Sequence, residues 1–364
     1  MWTPFLHRPM NPILLKWLMR VGIVTIIVLV VLSITRSKPF GLMMLDRAVT
    51  ARFAQDALAD RPEGLHVLVC GAGGPMFDAS RSGPCLAVQA GPHLFVVDAG
   101  TGGVRNLMRF GVAAGRIQAV LLTHAHSDHI DGLGELGVQR WVGGNHTTPL
   151  PVHGPPVVED VVAGFNLAYG ADFGYRAEHH GETVAPIAGG GLQAMPFDLP
   201  DDGETWLVLE TEGQSPVRIS AFRVSHDPVD QAVGYRFDYR ELSLVISGDT
   251  SYSDNLIAHA EGADLLVHEA LSSELTGHME QALKAAGNDS AAKIMADVPD
   301  YHATPVEAAR SAAEAGIGHL VLYHIVPPLP TAAFERIFLD GVHEAFDGEV
   351  TLSVDGTIVS AGVL

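Results

Sequence analysis

Cysteine is nearly absent from this chain: Cys70 and Cys85 are the only two in 364 residues. A Cys-based structural zinc cluster needs about two to four thiolates of its own, so that class is excluded and one disulfide at most is left. Positive charge is scarce as well, with 22 Lys and Arg against 42 Asp and Glu. The deficit is uneven, because residues 1–60 hold seven basic and three acidic side chains and the remaining 304 residues hold 15 and 39. Such a field repels polyphosphates at long range, so nucleic-acid binding in general is disfavoured. Charged residues make up 18% of the chain against 47% hydrophobic ones, which excludes a disordered polymer. No internal repeat or low-complexity tract interrupts what remains, an enzyme-sized globular chain punctuated by 39 Gly and 22 Pro.

The first sixty residues stand apart. Residues 17–34 carry one charge, Arg20, and their inner part, 21–32, is a nearly unbroken run of Val, Ile and Leu. As a helix the stretch would reach about 27 Å, close to the hydrocarbon thickness of a bilayer. It lacks the amphipathic pattern of a soluble helix and reads as an uncleaved membrane anchor over residues 1–40. A cleaved signal peptide is the competing reading, since Arg8, Lys16 and Arg20 resemble a charged leader, but no A-x-A-like site follows Ser33. Arg36, Lys38 and Arg47 balance those three on the other side, so basic residues alone do not fix orientation. Placement at the N-terminus favours an inner-membrane, single-pass topology with the bulk of the chain in the periplasm or exterior. Residues 41–64 are expected to be a linker with a short helix over 45–58.

From residue 65 the pattern becomes short β-rich runs alternating with Ala-rich helical stretches, an α/β or α+β class. Strands are expected at 65–70, 85–89, 94–98, 119–123, 217–224, 232–238, 242–247, 265–268 and 319–323, with two short ones near the C-terminus. Helices are expected at 102–110, 130–140, 253–259, 272–295, 305–315 and 331–338. Two segments break the rhythm. Residues 155–200 are Gly-rich and irregular, which suggests a surface insertion or lid. Residues 272–299 read as a helical insertion holding His278, Met279 and Met295.

Chemistry concentrates in Thr123-His124-Ala125-His126-Ser127-Asp128-His129-Ile130-Asp131-Gly132, placed between a strand and a helix. Three imidazoles and a carboxylate on one strand-to-helix turn can face one cavity, and borderline divalent metals prefer such donors. His226, Asp249, His268 and His324 each follow a strand in the same way, and together they supply what a second metal needs. Asp131 reads as a helix N-terminal carboxylate rather than a ligand. Gly71, Gly73 and Gly74 could suggest a phosphate loop, yet no Lys follows and no helix begins there.

The pattern H-x-H-x-D-H, a later lone His226, Ser247-Gly248-Asp249-Thr250 and Tyr323-His324 resembles the metallo-β-lactamase superfamily over about residues 65–364. Gly71-Ala72-Gly73-Gly74-Pro75, His153-Gly154-Pro155, Val267-His268-Glu269-Ala270 and Tyr301-His302-Ala303-Thr304 are similar to its ribonuclease Z and arylsulfatase-like branch. The resemblance implies a four-layer αββα sandwich with two Zn²⁺ at one edge, Mn²⁺ or Fe²⁺ being other candidates. It places His124, His126 and His226 on one metal, Asp128, His129 and His324 on the other, and Asp249 as the bridge. It also assigns Glu269 and His302 to a carboxylate and a histidine that assists the leaving group, so that His302, Glu269 and Asp128 form the catalytic set. The chemistry agrees: two metals can share a hydroxide nucleophile, and a histidine oriented by a carboxylate is suited to protonate the departing oxygen. His302 can also be read as a helix N-terminal residue, since Thr304-Pro305 with Glu307 looks like a helix start. His268 reads as a buried supporting histidine rather than a ligand. The other histidines are assigned to surface or packing, with His179 and His180 as candidates for substrate contact.

Ribonuclease Z enzymes carry a protruding basic arm that grips the tRNA body. Here residues 155–210 hold one basic residue, Arg176, against ten acidic ones. With the membrane segment, this moves the preferred reading to a membrane-anchored hydrolase of a small-molecule ester, an aryl sulfate or phosphodiester. The alternatives are a ribonuclease Z-like tRNA 3′-processing endonuclease, a lactonase or thioesterase of the same fold, and a tethered metal-binding module without catalysis. A homodimer stays open. Cys70 and Cys85 flank one Gly-rich loop between candidate adjacent strands of a domain expected to be exported, so a disulfide between them is expected, with two buried reduced cysteines as the alternative.

Overall fold

In a computed structural model of the chain, which describes residues 11–54, 56–59 and 61–363, contact density divides the chain into two units after residue 55. The first unit is helical. Asn11 starts α1 (Pro12–Thr35) by accepting the Ile13 N–H at 2.9 Å, and Pro12 sits in the first turn where its missing N–H is harmless. None of the side chains of α1 is buried, and the helix is long and apolar enough to cross a membrane. α2 (Lys38–Ala54) takes up most of the stretch expected as a linker and begins at Lys38 rather than at residue 45.

The second unit is built on two seven-stranded mixed sheets. Its strands are β1 (Gly64–Gly71), β2 (Cys85–Ala90), β3 (His93–Val97), β4 (Ala119–Leu121), β5 (Leu150–Gly154), β6 (Leu192–Pro196), β7 (Trp206–Glu210), β8 (Val217–Arg223), β9 (Val233–Tyr239), β10 (Leu242–Ile246), β11 (Leu265–Leu271), β12 (His319–Val326), β13 (Glu349–Leu352) and β14 (Ile358–Val363). The spatial orders are β14-β1-β2-β3-β4-β5-β6 and β13-β12-β11-β10-β9-β8-β7. Side-chain alternation explains why both faces of each sheet are covered. In β1, Leu65, Val67 and Val69 pack with Tyr235, Phe237 and Ile246 of the other sheet, while Leu68 and Cys70 face outward.

Helices cover the two outer faces. α3 (Gly103–Arg109), α4 (Ser127–Ile130), α5 (Leu133–Gly144) and α6 (Val158–His180) follow the first sheet's strands, and Val104, Leu107, Leu133, Leu136 and Val158 pack on its outside. α7 (Asp254–Ala260), α8 (Ser273–Ala285), α9 (Asp289–Asp297), α10 (Pro305–Glu314), α11 (Ala332–Phe338) and α12 (Val342–Ala345) belong to the other side, where Leu256, Leu275, Ala308, Ala312 and Phe338 pack against Leu266, Leu320 and Leu322. The layers are therefore αββα, as the sequence led us to expect. The helix foreseen after Thr304 has a full capping box: Thr304 Oγ1 accepts the Glu307 N–H and the Glu307 carboxylate accepts the Thr304 N–H.

Residues 155–200 depart from expectation. They form no irregular lid; α6 and β6 make a parallel crossover from β5 to β6. Gly164, Gly170 and Gly174 lie inside α6 with open space where a Cβ would be, which is why the segment reads as a loop. The 272–299 segment is helical, broken between α8 and α9 at Gly287, whose φ is +75°.

Candidate metal centre

Chain direction delivers most of the polar side chains to one edge, because β4, β10, β11 and β12 all end there. β4 leads into Thr123 and His124, and β10 into Asp249. At β12 a bulge does additional work. Glu269 pairs with Tyr323 and Ala270 with Ile325, so His324 is an extra residue with φ +46°, taken out of the alternation that would bury it under the helices. Gly74 packs on it from the loop after β1: a Cβ there would lie 2.9 Å from His324 Cε1. This close approach requires glycine.

Two donor groups result. His124, His126, His226 and Asp249 have one ligand atom each within 4.8 Å of one another, and so do Asp128, His129 and His324. His126 Nδ1 lies 2.9 Å from His124 Nε2 and 3.3 Å from His226 Nε2. Asp249 Oδ2 lies 3.2 Å from the Nε2 atoms of both His129 and His324, and 3.9 Å from those of His124 and His226. Asp128 Oδ2 is 3.4 Å from His324 Nε2 and 3.6 Å from His129 Nε2. The structure thus brings together all seven residues singled out in the sequence as ligands.

The outward-facing nitrogens are tied down. His129 Nδ1–H donates to Asp98 Oδ2 at 2.8 Å, and the Thr123 hydroxyl donates to the same oxygen at 2.8 Å. Thr123 Oγ1 in turn accepts from His124 Nδ1 at 3.1 Å, so one carboxylate orients two imidazoles. His226 Nδ1–H donates to the Tyr301 carbonyl at 2.9 Å. Each of the three is left with Nε2 aimed at the cluster. Asp98 escaped the sequence reading although it ends a strand as the ligands do; its φ of +55° marks the same kind of sharp exit. Asp355 also escaped it, with no signal in the sequence. Its carboxylate accepts the N–H groups of Ala72 and Ser82 and the Asn106 amide, holding the loop that bears Gly74. Cys70 and Cys85 at the base of this loop are joined in a disulfide, the oxidised of the two arrangements considered from the sequence.

Charge and burial describe a site made for cations. Burial opposes ionisation of Asp249, yet the imidazoles of His324 and His129 hold its carboxyl well below the usual range. Burial likewise opposes a charge on His129, but Asp249 and Asp98 push it well above the ordinary imidazole value. His124 goes the other way, lowered by burial and by its neighbour His129. Asp128 Oδ2, His129 Nε2, Asp249 Oδ1 and His324 Nε2 are buried without a hydrogen-bond partner. Lone-pair donors left unsatisfied around one space fit divalent cations, and this nitrogen and oxygen set suits zinc, manganese or iron.

Beside the cluster, His302 Nδ1–H donates to Glu269 Oε1 at 3.1 Å, and the same oxygen accepts the Ala303 N–H at 2.9 Å. The His302 ring stacks on His324 with centroids 5.5 Å apart. Burial would lower its pKa, but the Glu269 carboxylate more than reverses this and raises it to about 9. His302 also falls within ligand distance of Asp249 and His324. His268 is buried, with Nδ1 on the Glu269 carbonyl, and belongs to no donor group. Asp131 accepts the Thr101 hydroxyl and lies outside the groups. His179 and His180 are exposed at the end of α6, apart from the cluster.

An αββα sandwich with a His- and Asp-lined centre at one edge defines the class of metal-dependent hydrolases built on the β-lactamase fold. Residues 93–325 match the family model described as Beta-lactamase superfamily domain. The chain is 35% identical over 268 residues to a Ribonuclease Z of Mycobacterium sp. (strain KMS), covering 73% of this chain and 85% of that one. To a Ribonuclease Z of Mycobacterium avium (strain 104) it is 34% identical over 293 residues, covering 80% and 96%. The fold is similar to that of human tRNase Z, short form, with a TM-score of 0.58 at 20% identity over 82% of this chain and all of that one, 100%. The chain belongs to the metallo-β-lactamase superfamily, in its ribonuclease Z branch. These relatives favour the nuclease alternative over the small-ester reading preferred from the sequence, and they run against the expectation that nucleic acid is disfavoured as a partner. No arylsulfatase stands among these three.

Proposed function

We propose that this chain hydrolyses phosphodiester bonds with two divalent cations, zinc foremost, and that its substrate is RNA, as the names of its relatives suggest, cut at a tRNA 3′ end as the family resemblance implies. One observation carries the two-cation part: Asp249 Oδ2 is shared between the His129 and His324 nitrogens on one side and the His124 and His226 nitrogens on the other. Cations held there would act as Lewis acids on the phosphoryl oxygens and lower the pKa of a water toward neutrality. The protein's own residues do the rest. Asp98 and Thr123 keep His129 and His124 in the tautomer that presents Nε2. Glu269 holds His302 by Nδ1, which leaves Nε2 to give a proton to the departing oxygen. In this reading residues 1–40 are an anchor, 41–64 a linker and 65–364 the hydrolase unit.

A second reading, a small phosphodiester outside the cytoplasm, is favoured by the acidic balance beyond residue 60 and by the Cys70–Cys85 disulfide, a bond that oxidising compartments sustain. With α1 as a signal anchor the hydrolase unit faces the periplasm or exterior. The zinc-loaded full chain, offered a tRNA precursor with a 3′ trailer, a bis-aryl phosphodiester and an aryl sulfate, decides between them. Trailer removal supports the RNA reading; turnover of the small diester alone, with a C-terminal reporter active only outside the cytoplasm, supports the second.

A further inference from the structure

A cavity of about 370 Å³ lies between the loop after β1, α8 and the segment following β12. Met76, Leu275, Met279, Pro327, Pro328 and Phe334 line it, and His278 is its one ionisable side chain. Its place is fixed by two links to the ligands. Met76 is two residues beyond Gly74, which packs on the His324 ring, and Pro327 is three residues beyond His324 itself. At about 3.3 Å per extended residue its wall begins within roughly 10 Å of His324. The Ser272 N–H donates to the Val326 carbonyl at 2.8 Å, which fixes the start of α8 against the same strand end. His302 stacks on the same His324 ring.

We propose that this cavity is the subsite for an uncharged alkyl or aryl group carried by the phosphoryl substrate. The inference rests on the second reading above, a small phosphodiester, and adds to it what the ester carries. Methionine and proline walls offer apolar area without a fixed donor or acceptor pattern, so they hold a greasy group by area rather than reading hydrogen bonds. None of the lining residues is a Lys or Arg that could hold a further phosphate of a polynucleotide. His302, which would protonate a leaving oxygen, stacks on the same His324, and on that ground the apolar group is assigned to the departing alcohol.

Binding of methyl, propyl and butyl phosphonate and of inorganic phosphate to the zinc-loaded full chain, measured by calorimetry, tests this without turnover. From methyl to butyl, Kd should tighten by at least about tenfold, since each buried methylene is worth up to about fourfold. Met279→Asp should flatten that series while leaving the Kd of inorganic phosphate unchanged, and Met279→Leu should preserve it. A flat series in the wild-type chain, or an equal slope in Met279→Asp, overturns the subsite even if diesters are hydrolysed. The slope together with no turnover of any phosphodiester upholds the subsite and removes the hydrolase reading. Uridine 5′-phosphate binding as tightly as butyl phosphonate, with the same loss in Met279→Asp, would give the cavity to a nucleobase and overturn the alkyl or aryl assignment.

Discussion

Asp98 Oδ2 stands 2.8 Å from His129 Nδ1 and 2.8 Å from Thr123 Oγ1, so a single buried carboxylate orients His129 directly and His124 through the threonine hydroxyl. Replacing it by Asn keeps the shape and removes the charge. Asp98→Asn should weaken zinc binding about 10- to 100-fold, read by competition with a chelator of known affinity. Unchanged affinity would mean that the imidazoles need no such support.

His302 is expected to act on the leaving group. His302→Ala should slow esters of poorly acidic alcohols by about 10²- to 10⁴-fold and activated nitrophenyl esters much less, with metal content unchanged. An equal loss on both kinds of ester would refute the acid role, and a parallel fall in bound metal would reassign the residue as a ligand.

The same residue fixes a pH dependence. Its pKa is raised to about 9, so the imidazole is protonated through neutral pH and loses its proton as pH rises through that value. Cations in the neighbouring sites repel the imidazolium and move the step lower. kcat/KM for a poor leaving group should therefore fall along an alkaline limb at or below pH 9. Glu269→Gln should shift the limb further toward acid pH, and His302→Ala should lack it.

Gly74 tests the second donor group alone. A Cβ there would sit 2.8 Å from Val326 Cγ2 and 2.9 Å from His324 Cε1, so Gly74→Val must displace the imidazole. One retained cation per chain is expected. Two retained cations at wild-type affinity would show that His324 is not needed to hold the second.

On α6, Gly164 and Gly170 have open space where a Cβ would go, in the middle of a 23-residue helix. Alanine at each should stabilise the protein by about 0.5–1 kcal/mol, measured by denaturant titration. Destabilisation would mean that the segment is not helical.

These glycines also explain where sequence reading stops. The strands buried on both faces, such as β1 and β12, stand out as apolar runs, and all seven ligand candidates could be picked out because each follows such a run or sits in the His-rich turn. β5 and β6 do not stand out, because Pro151 interrupts the one and Gln193 and Pro196 the other; β7 lies exposed at a sheet edge, and its run Trp206 to Leu209 is a signal the sequence reading missed. α6 was hidden by Gly164, Gly170 and Gly174 and by apolar residues spread around the helix rather than along one stripe. Asp98 and Asp355 act through partners distant in sequence, and neither belongs to a local motif. The substrate was not legible either: residues 155–210, whose lack of basic residues was read as the loss of an RNA-gripping arm, largely make a sheet crossover.

Metal stoichiometry of the active full-length chain tests the shared role of Asp249 most directly. Zinc added stepwise to the metal-free protein should bind to two ions per chain, with phosphodiester turnover completed only as the second loads. Asp249→Ala, which removes the oxygen common to both donor groups, should weaken both sites. Full turnover with one ion or none, or two ions held as tightly in Asp249→Ala as in the wild type, would contradict a dinuclear centre joined by this carboxylate.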